Sequence, residues 1–342
     1  MATVVLSKIK AAGGVGIDYT SMSAWIAARK GNLVARDTIE VAWIYGGGSV
    51  GDCWLEAADW TLDANHYVWI MAAPGEGHGG KFRTDKAYVN GLTDNPFWVH
   101  VPWVRIGPGI CVDALVDLPG IVGGPHCVLV NKIPTGGVVV VDGVIGRSSN
   151  GNCFRAEYGD PVTPRVFMNC VALRETNPCV GFRATNCTVK VVNCTSVVGD
   201  TTMFADNDGG AFGEPAADGH LISINNYCGS GVAYGASGGG SFVTKGAKDA
   251  TSSSEALDPT LRGILAVNEF VDPFGVVPDF HLKPTSVLKE HGEDAFSHGV
   301  YHDFEGELRA SPFDVGADEI YKFALGAPGW TVPEGGKIWS VP

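Results

Sequence analysis

Between Val138 and Gly235 the chain passes through nearly the same phrase four times. The first pass is Val139-Val140-Val141-Asp142, a polar turn, then Cys153-Phe154-Arg155-Ala156. The second is Val166-Phe167-Met168-Asn169-Cys170 followed by Phe182-Arg183-Ala184, and the third is Val191-Val192-Asn193-Cys194 followed by Met203-Phe204-Ala205. The fourth is Ile222-Ser223-Ile224-Asn225-Asn226 followed by Val232-Ala233-Tyr234. Each unit holds β-branched runs closed by turn residues, and none shows a helical period. A single unit cannot bury its apolar face, so neighbours must stack, and the chain is expected to form an all-β solenoid.

The residues closing the runs, Asp142, Asn169, Asn193 and Asn226, predict a corner repeated from rung to rung. Asn enters the left-handed region at low cost after Gly, and stacked amides at the strand spacing of about 4.8 Å can bond along the axis. The aromatic positions Phe154, Phe182, Phe204 and Tyr234, with Cys170 and Cys194 beside the corner, are expected to stack as internal ladders. These positions are read as packing, not chemistry.

Composition agrees with many short strands and turns. The chain holds 47 Gly and 19 Pro in 342 residues, and only 18% are charged. The helix expected is Ser21–Lys30, with Thr20 or Ser21 as N-cap and Gly31 as its stop. Thr3–Ile9, Thr38–Tyr45 and His66–Ala73 read as strands. The organisation expected is a cap with first coils over 1–92, a β-helix body over 93–250 and an irregular closing region over 251–342. A net charge of −13 without Lys/Arg clusters argues against nucleic acid as a partner. Nine cysteines without zinc spacing read as reduced, buried thiols. The opening, with only Val4-Val5-Leu6 as an apolar run, is not a signal peptide, and no stretch reaches the ~18 apolar residues of a membrane span. Synthesis in a reducing cytoplasm without Sec export is therefore expected.

The C-terminal phrases carry a family resemblance. Asp279-Phe280-His281-Leu282-Lys283-Pro284-Thr285-Ser286 resembles the "DFHLxPGSP" phrase that closes many right-handed parallel β-helix proteins, with Thr285 where Gly is usual. It is followed in the same order by Asp303-Phe304-Glu305-Gly306-Glu307-Leu308-Arg309, similar to "D-x-x-G-x-x-R". Asp314-Val315-Gly316-Ala317-Asp318-Glu319 is similar to "DIGAxE". Asp18-Tyr19-Thr20-Ser21-Met22-Ser23-Ala24-Trp25 resembles the "DYTSLSAW" opening of β-helix proteins of bacteriophage and bacterial genomes. The resemblance implies a single right-handed parallel β-helix of the pectate-lyase-like and tailspike-like superfamily, capped by the N-terminal helix. It does not fix a function, since relatives include polysaccharide lyases, hydrolases, glycan-cleaving tailspikes and non-catalytic virion proteins.

An enzyme on this scaffold needs paired carboxylates on adjacent rungs. The candidates are Asp206 and Asp208, within Asp206-Asn207-Asp208-Gly209-Gly210 near Glu214, Asp218 and His220, and Glu157, which flanks a turn with Asp160 ahead of Glu175. Asp206 and Asp208 also open like a calcium loop, but Ala217 stands where the twelfth-position Glu belongs. His291, Glu293, Asp294, His298, His302 and Asp303 form a His/acid stretch whose His298–His302 spacing suits a metal only on a helix, which Gly299 opposes. No metal, cofactor or catalytic set is assigned on these signals. Trp43, Trp54, Trp60 and Trp69 are read as aromatic core under the cap, with a sugar-stacking platform as the alternative. The expectation is a non-enzymatic virion structural protein, capsid decoration before tail spike or fibre. Its expected partners are the major capsid or tail proteins, further copies of the chain in a trimer, and a host glycan, with no membrane partner. The rivals are a polysaccharide lyase or glycoside hydrolase, and a glycan-binding adhesin.

Overall fold

The computed structural model describes residues 2–91, 95–114, 124–149, 151–159, 162–174, 180–197, 201–206, 220–229, 232–237, 241–244 and 246–320. The chain winds into a parallel β-helix of three sheets. The first has nine strands, from Thr3–Ile9 to Ser241–Thr244; the second has seven, from Tyr88–Asn90 to Ala250–Thr251; the third has seven, from Cys53–Leu55 to Val232–Ser237. One full rung runs Val139–Asp142, Val144–Ser148, Phe154–Glu157, and the next begins at Arg165–Met168 on the first sheet. All pairings within these sheets are parallel, the arrangement in which crossovers are right-handed.

Strand alternation puts every second side chain inside. Phe97, Val128, Phe154 and Phe182 form a buried column in register along the third sheet, and the backbones of Met203 and Tyr234 continue the same register. The rings of Phe154 and Phe182 stack with centroids 5.0 Å apart and planes 9° apart. The residue in register with Phe182 is Met203, not Phe204, which pairs with Arg183. A one-residue slip exchanges the faces of a strand, and Met203-Phe204 offers two apolar neighbours between which sequence cannot choose. Eight cysteines among the described residues are free and buried. Burial raises the thiols of Cys111 and Cys187 to about 12, so they pack as small hydrophobes.

The corner from the first sheet to the second is the amide ladder, with a shifted membership. Gly143, Asn169, Asn193 and Asn225 hold φ of 57°, 52°, 49° and 54° and lie in register. Asp142 stands one residue before the corner and Asn226 one after it. Asn226 instead accepts the Cys194 N–H at 2.8 Å and donates to the Val191 carbonyl at 2.9 Å. Of two adjacent asparagines only one can take the left-handed turn, and Gly143 fills its place without an amide to mark it. A second left-handed corner, from the third sheet to the first, uses Lys132, Tyr158 and Asn186.

The helix Met22–Arg29 lies over the first coil, with the Ser21 hydroxyl accepting the Ala24 N–H at 3.1 Å. It buries Met22, Trp25 and Ile26, and Trp25 meets Trp60 at 6.1 Å. A one-turn helix, Leu33–Arg36, follows it, and another, Ala266–Glu269, lies in the closing segment. None of the helices among the described residues is long and apolar enough to cross a membrane.

Past Thr251 the chain folds back along the outside of the rod. Ile264 N–H bonds Thr251 O at 2.9 Å, at the last rung, while Phe280 N–H bonds Gly80 O at 2.9 Å, near the other end. This closing segment lays Leu261, Phe270, Phe280, Leu288, Phe304 and Val315 on the outer face of the second sheet. Ala295, Val300 and Phe313 continue over the first sheet at Val166, Met168, Val192 and Ile224.

Candidate functional site

Three surfaces concentrate side chains that the stacking of rungs does not require. The first is a cleft of about 290 Å³ where the first sheet, a glycine-rich loop and the closing segment meet. Strand alternation sends Trp43, Trp69 and Met71 outward, while Ala42, Ile44 and Ile70 go into the core. His78 from the loop and Phe304 and Glu305 from the closing segment complete the walls. His78 is fully buried: Gly80 N–H donates to its Nδ1 at 3.1 Å, so Nε2–H donates to Gly143 O at 3.1 Å. Burial pushes its pKa down to about 4, and the ring is neutral at pH 7. Trp69 Nε1 donates to Gly107 O at 2.7 Å, and the Arg105 guanidinium, paired with Asp142, lies 5.2 Å above its ring. Trp43 Nε1 is buried without a hydrogen-bond partner.

Beside the cleft, His281 Nδ1 lies 2.6 Å from Asp279 Oδ1 and its Nε2 lies 2.7 Å from Glu305 Oε2. Both ring nitrogens must donate, so the ring is an imidazolium. The Glu305 hydrogen bond, ahead of the other contributions, raises its pKa to about 9. Lys81 Nζ closes the group on Asp279 at 2.9 Å. His281 and Lys81 offset Asp279 and Glu305. Neither His78 nor His281 has a pKa suited to proton transfer at neutral pH.

The second surface is the outer face of the third sheet. Trp54, Trp98, Leu129, Arg155 and Arg183 form one register line. Trp54 is 38% exposed, and its ring meets Trp98 at 5.5 Å, edge to face. Trp98 Nε1 donates to His100 Nε2, and His100 Nδ1 faces Glu56 at 3.2 Å. The reading of the tryptophans as core under the cap therefore holds for Trp60 but not for Trp54, nor for Trp43 and Trp69, which face out of the coil. The signal was the twin phrase Cys53-Trp54-Leu55 and Phe97-Trp98-Val99: an aromatic flanked by inward residues must point outward.

Glu157 belongs to the same face. Arg155 grips it at 2.7 Å and Asn131 Nδ2 donates to it at 2.9 Å. The register aligns Glu157, Thr185 and Asp206, so Glu157 and Asp206 have backbones two rungs apart, roughly 10 Å at the strand spacing. Asp208, Asp160, Glu175, Glu214 and Asp218 lie outside the described residues. His220 opens a first-sheet strand. His291 bonds the Lys289 carbonyl at 2.7 Å, and Asp294 accepts Phe296 N–H at 2.9 Å. A 3₁₀ turn, Phe296–His298, ends at Gly299 in the left-handed region, so His298 and His302 do not share a helix. Among the described residues no group of three His, Cys, Asp or Glu is placed to hold a metal ion.

The third feature is the lock between closing segment and amide ladder. Asn193 Nδ2 donates to Asp314 O at 3.3 Å, and Asn225 both donates to Glu293 O at 2.7 Å and accepts its N–H at 2.9 Å. Arg309, fully buried at its side chain, donates to Asn169 Oδ1 at 3.2 Å, Ala317 O at 2.7 Å, Gly316 O at 3.0 Å and Glu319 Oε2 at 3.2 Å. Asp314 accepts the N–H groups of Glu290 and Ile320, and Asp318 that of Leu282. The three closing phrases thus supply internal bonds.

No family model matches the chain, and no curated protein matches it. Among solved structures, the crystal structure of pectate lyase Pel9A is similar over 93% of this chain and 97% of its own, at 13% identity and a TM-score of 0.30.

Proposed function

We propose that the chain is a non-enzymatic structural protein of a bacteriophage particle, decorating the capsid in the first instance and belonging to a tail spike or fibre in the second. The observation that carries this reading is the lock: Arg309, Asp314 and Asp318, with the corner asparagines, pin a long return segment lengthwise across the rungs. A rod braced along its axis suits a load-bearing part of a particle. The opening phrase, which resembles that of bacteriophage and bacterial β-helix proteins, supports the same assignment. Expected partners are capsid or tail proteins and further copies of the chain. Leu257, Leu265, Val267, Val271, Phe274 and Val276 of the closing region are each exposed and would offer apolar contacts for a trimer. Synthesis in the host cytoplasm without export belongs to this reading.

Peptide mass spectrometry of gradient-purified particles tests it. The chain is expected at fixed stoichiometry to the capsid protein; its presence in the lysate but absence from particles would refute the assignment. A monomer mass by light scattering would end the trimer. A second reading, glycan binding, is favoured by the exposed Trp54–Trp98 pair. It expects retention on host polysaccharide that Trp54→Ala abolishes. Depolymerisation lost on Glu157→Gln or Asp206→Asn would instead assign an enzyme.

A further inference from the structure

We propose that His281 is a proton-controlled latch within the closing segment: its doubly protonated ring ties the strand Asp279–Leu282 to the turn at Glu305, and loss of one proton loosens these two stretches from each other. The geometry is specific. The ring lies between two carboxylates, at 2.6 Å on Nδ1 and 2.7 Å on Nε2, and can satisfy both only as a cation. It packs on Gly80, where an added Cβ would fall 2.3 Å from His281 Cε1, so the ring cannot tilt to a new partner without moving the backbone. Phe304 closes the other side at 6.0 Å.

The charged groups around it come from every packed element. Asp279 is on its own strand; Lys81 and the neutral His78 are on the loop beneath; Asp303, Glu305 and Glu307 are on the turn; Asp318 follows from the terminal phrase. Carboxylates predominate. A neutral imidazole has one N–H for two acids, so it gives up one of its two ring bonds, and the cation that offsets Asp318 and Glu307 is lost, although Asp279 keeps Lys81 at 2.9 Å and the His281 backbone N–H at 3.2 Å.

The direction of the pH effect follows from linkage. The ring titrates near 6.5 when open and at about 9 when latched, Glu305 being the main cause. The latch is therefore at full strength below pH 6.5, weakens as pH rises, and is lost above about 9. Two and a half pKa units correspond to an opening equilibrium that increases at most about 300-fold across that window.

Hydrogen exchange on the full chain between pH 6 and 10, corrected for the intrinsic base-catalysed rate, reads this directly. Peptides over 278–286 and 303–309 are expected to lose protection between pH 6.5 and 9 and then level off, while peptides of the first sheet hold theirs. In His281→Gln those peptides should exchange fast already at pH 6, with no step. Glu305→Gln, the milder variant, should end the rise one or more pH units lower and shrink it at least tenfold, because one carboxylate partner is gone. Flat wild-type protection across the range overturns the proposal. So does a wild-type-like rise in His281→Gln or, should that variant not fold, in Glu305→Gln.

Discussion

Replacing Arg309 by methionine should detach the closing segment while leaving the rungs stacked. The guanidinium has no exposed surface and makes bonds to Asn169, Gly316, Ala317, Asp318 and Glu319, with the His302 carbonyl accepting from Nε at 3.2 Å. Methionine keeps most of the stem volume, so little of the effect comes from a cavity. What remains is a buried Glu319 carboxylate, 3% exposed at its side chain, that has lost its cation. Breaking a buried pair by removing one member costs about 3–5 kcal/mol. At 1.36 kcal/mol per tenfold change, opening of the segment rises roughly 200- to 5,000-fold. The cost falls on the closing segment, because the rungs keep their own backbone ladders. Hydrogen exchange should show peptides from 290–320 unprotected and those of Val139–Asp142 and Arg165–Met168 protected. Adding Glu319→Met should recover a large part of the loss, since an apolar pair of similar volume replaces the ion pair. A loss below about 1 kcal/mol in the single variant, or no coupling in the double, would refute the view that this pair is the centre of the lock.

Three further outcomes follow from the same structure. Phe182→Ala, between the rings of Phe154 and Phe167 in the core, should lower stability by about 3–5 kcal/mol in denaturant unfolding. A loss under 1 kcal/mol would mean that the column is loosely packed. Gly143 holds φ +57 with Pro108 Cβ 2.9 Å from where its own Cβ would be, so Gly143→Val should destabilise by several kcal/mol, while Asn193→Gly, which keeps the turn and gives up the bond to Asp314 O, costs about 1–3 kcal/mol. Equal melting shifts for the two would contradict the corner assignment. Burial raises Asp318 to about 6, above the ordinary 3.8. The folded chain thus binds the extra proton, and stability should fall as pH rises from about 4 to 6, by up to about 3 kcal/mol. Asp318→Asn, which keeps the acceptor for the Leu282 N–H, should abolish that slope in melting curves taken across the range.

The repeat alone determined the class of fold. A chain that alternates β-branched runs with Asn, Gly and Ser turns four times over can bury its apolar positions by stacking, and the closing phrases point the same way. The inward places of Phe154, Phe182, Cys127 and Cys153 follow from the period-two pattern. Register does not follow from it. Whether Asn225 or Asn226 turns the corner, and whether Met203 or Phe204 sits across from Phe182, depends on how many residues each turn consumes, which only closure of the neighbouring rung decides.

The lock was hidden for a different reason. Arg309 reaches Asn169 across 140 residues of sequence, and Asn193 reaches Asp314 across 121. No local period encodes such a pairing; it exists because the segment after Thr251 returns along the rod instead of leaving it. The Trp54–Trp98 pair and the His281 cluster arise likewise, from strands and turns brought together by coiling and return. Local chemistry thus settled that this chain would coil. The three-dimensional path settled which residues face each other across the rungs, because side chains far apart in sequence meet only once the turns have set the rise and the return.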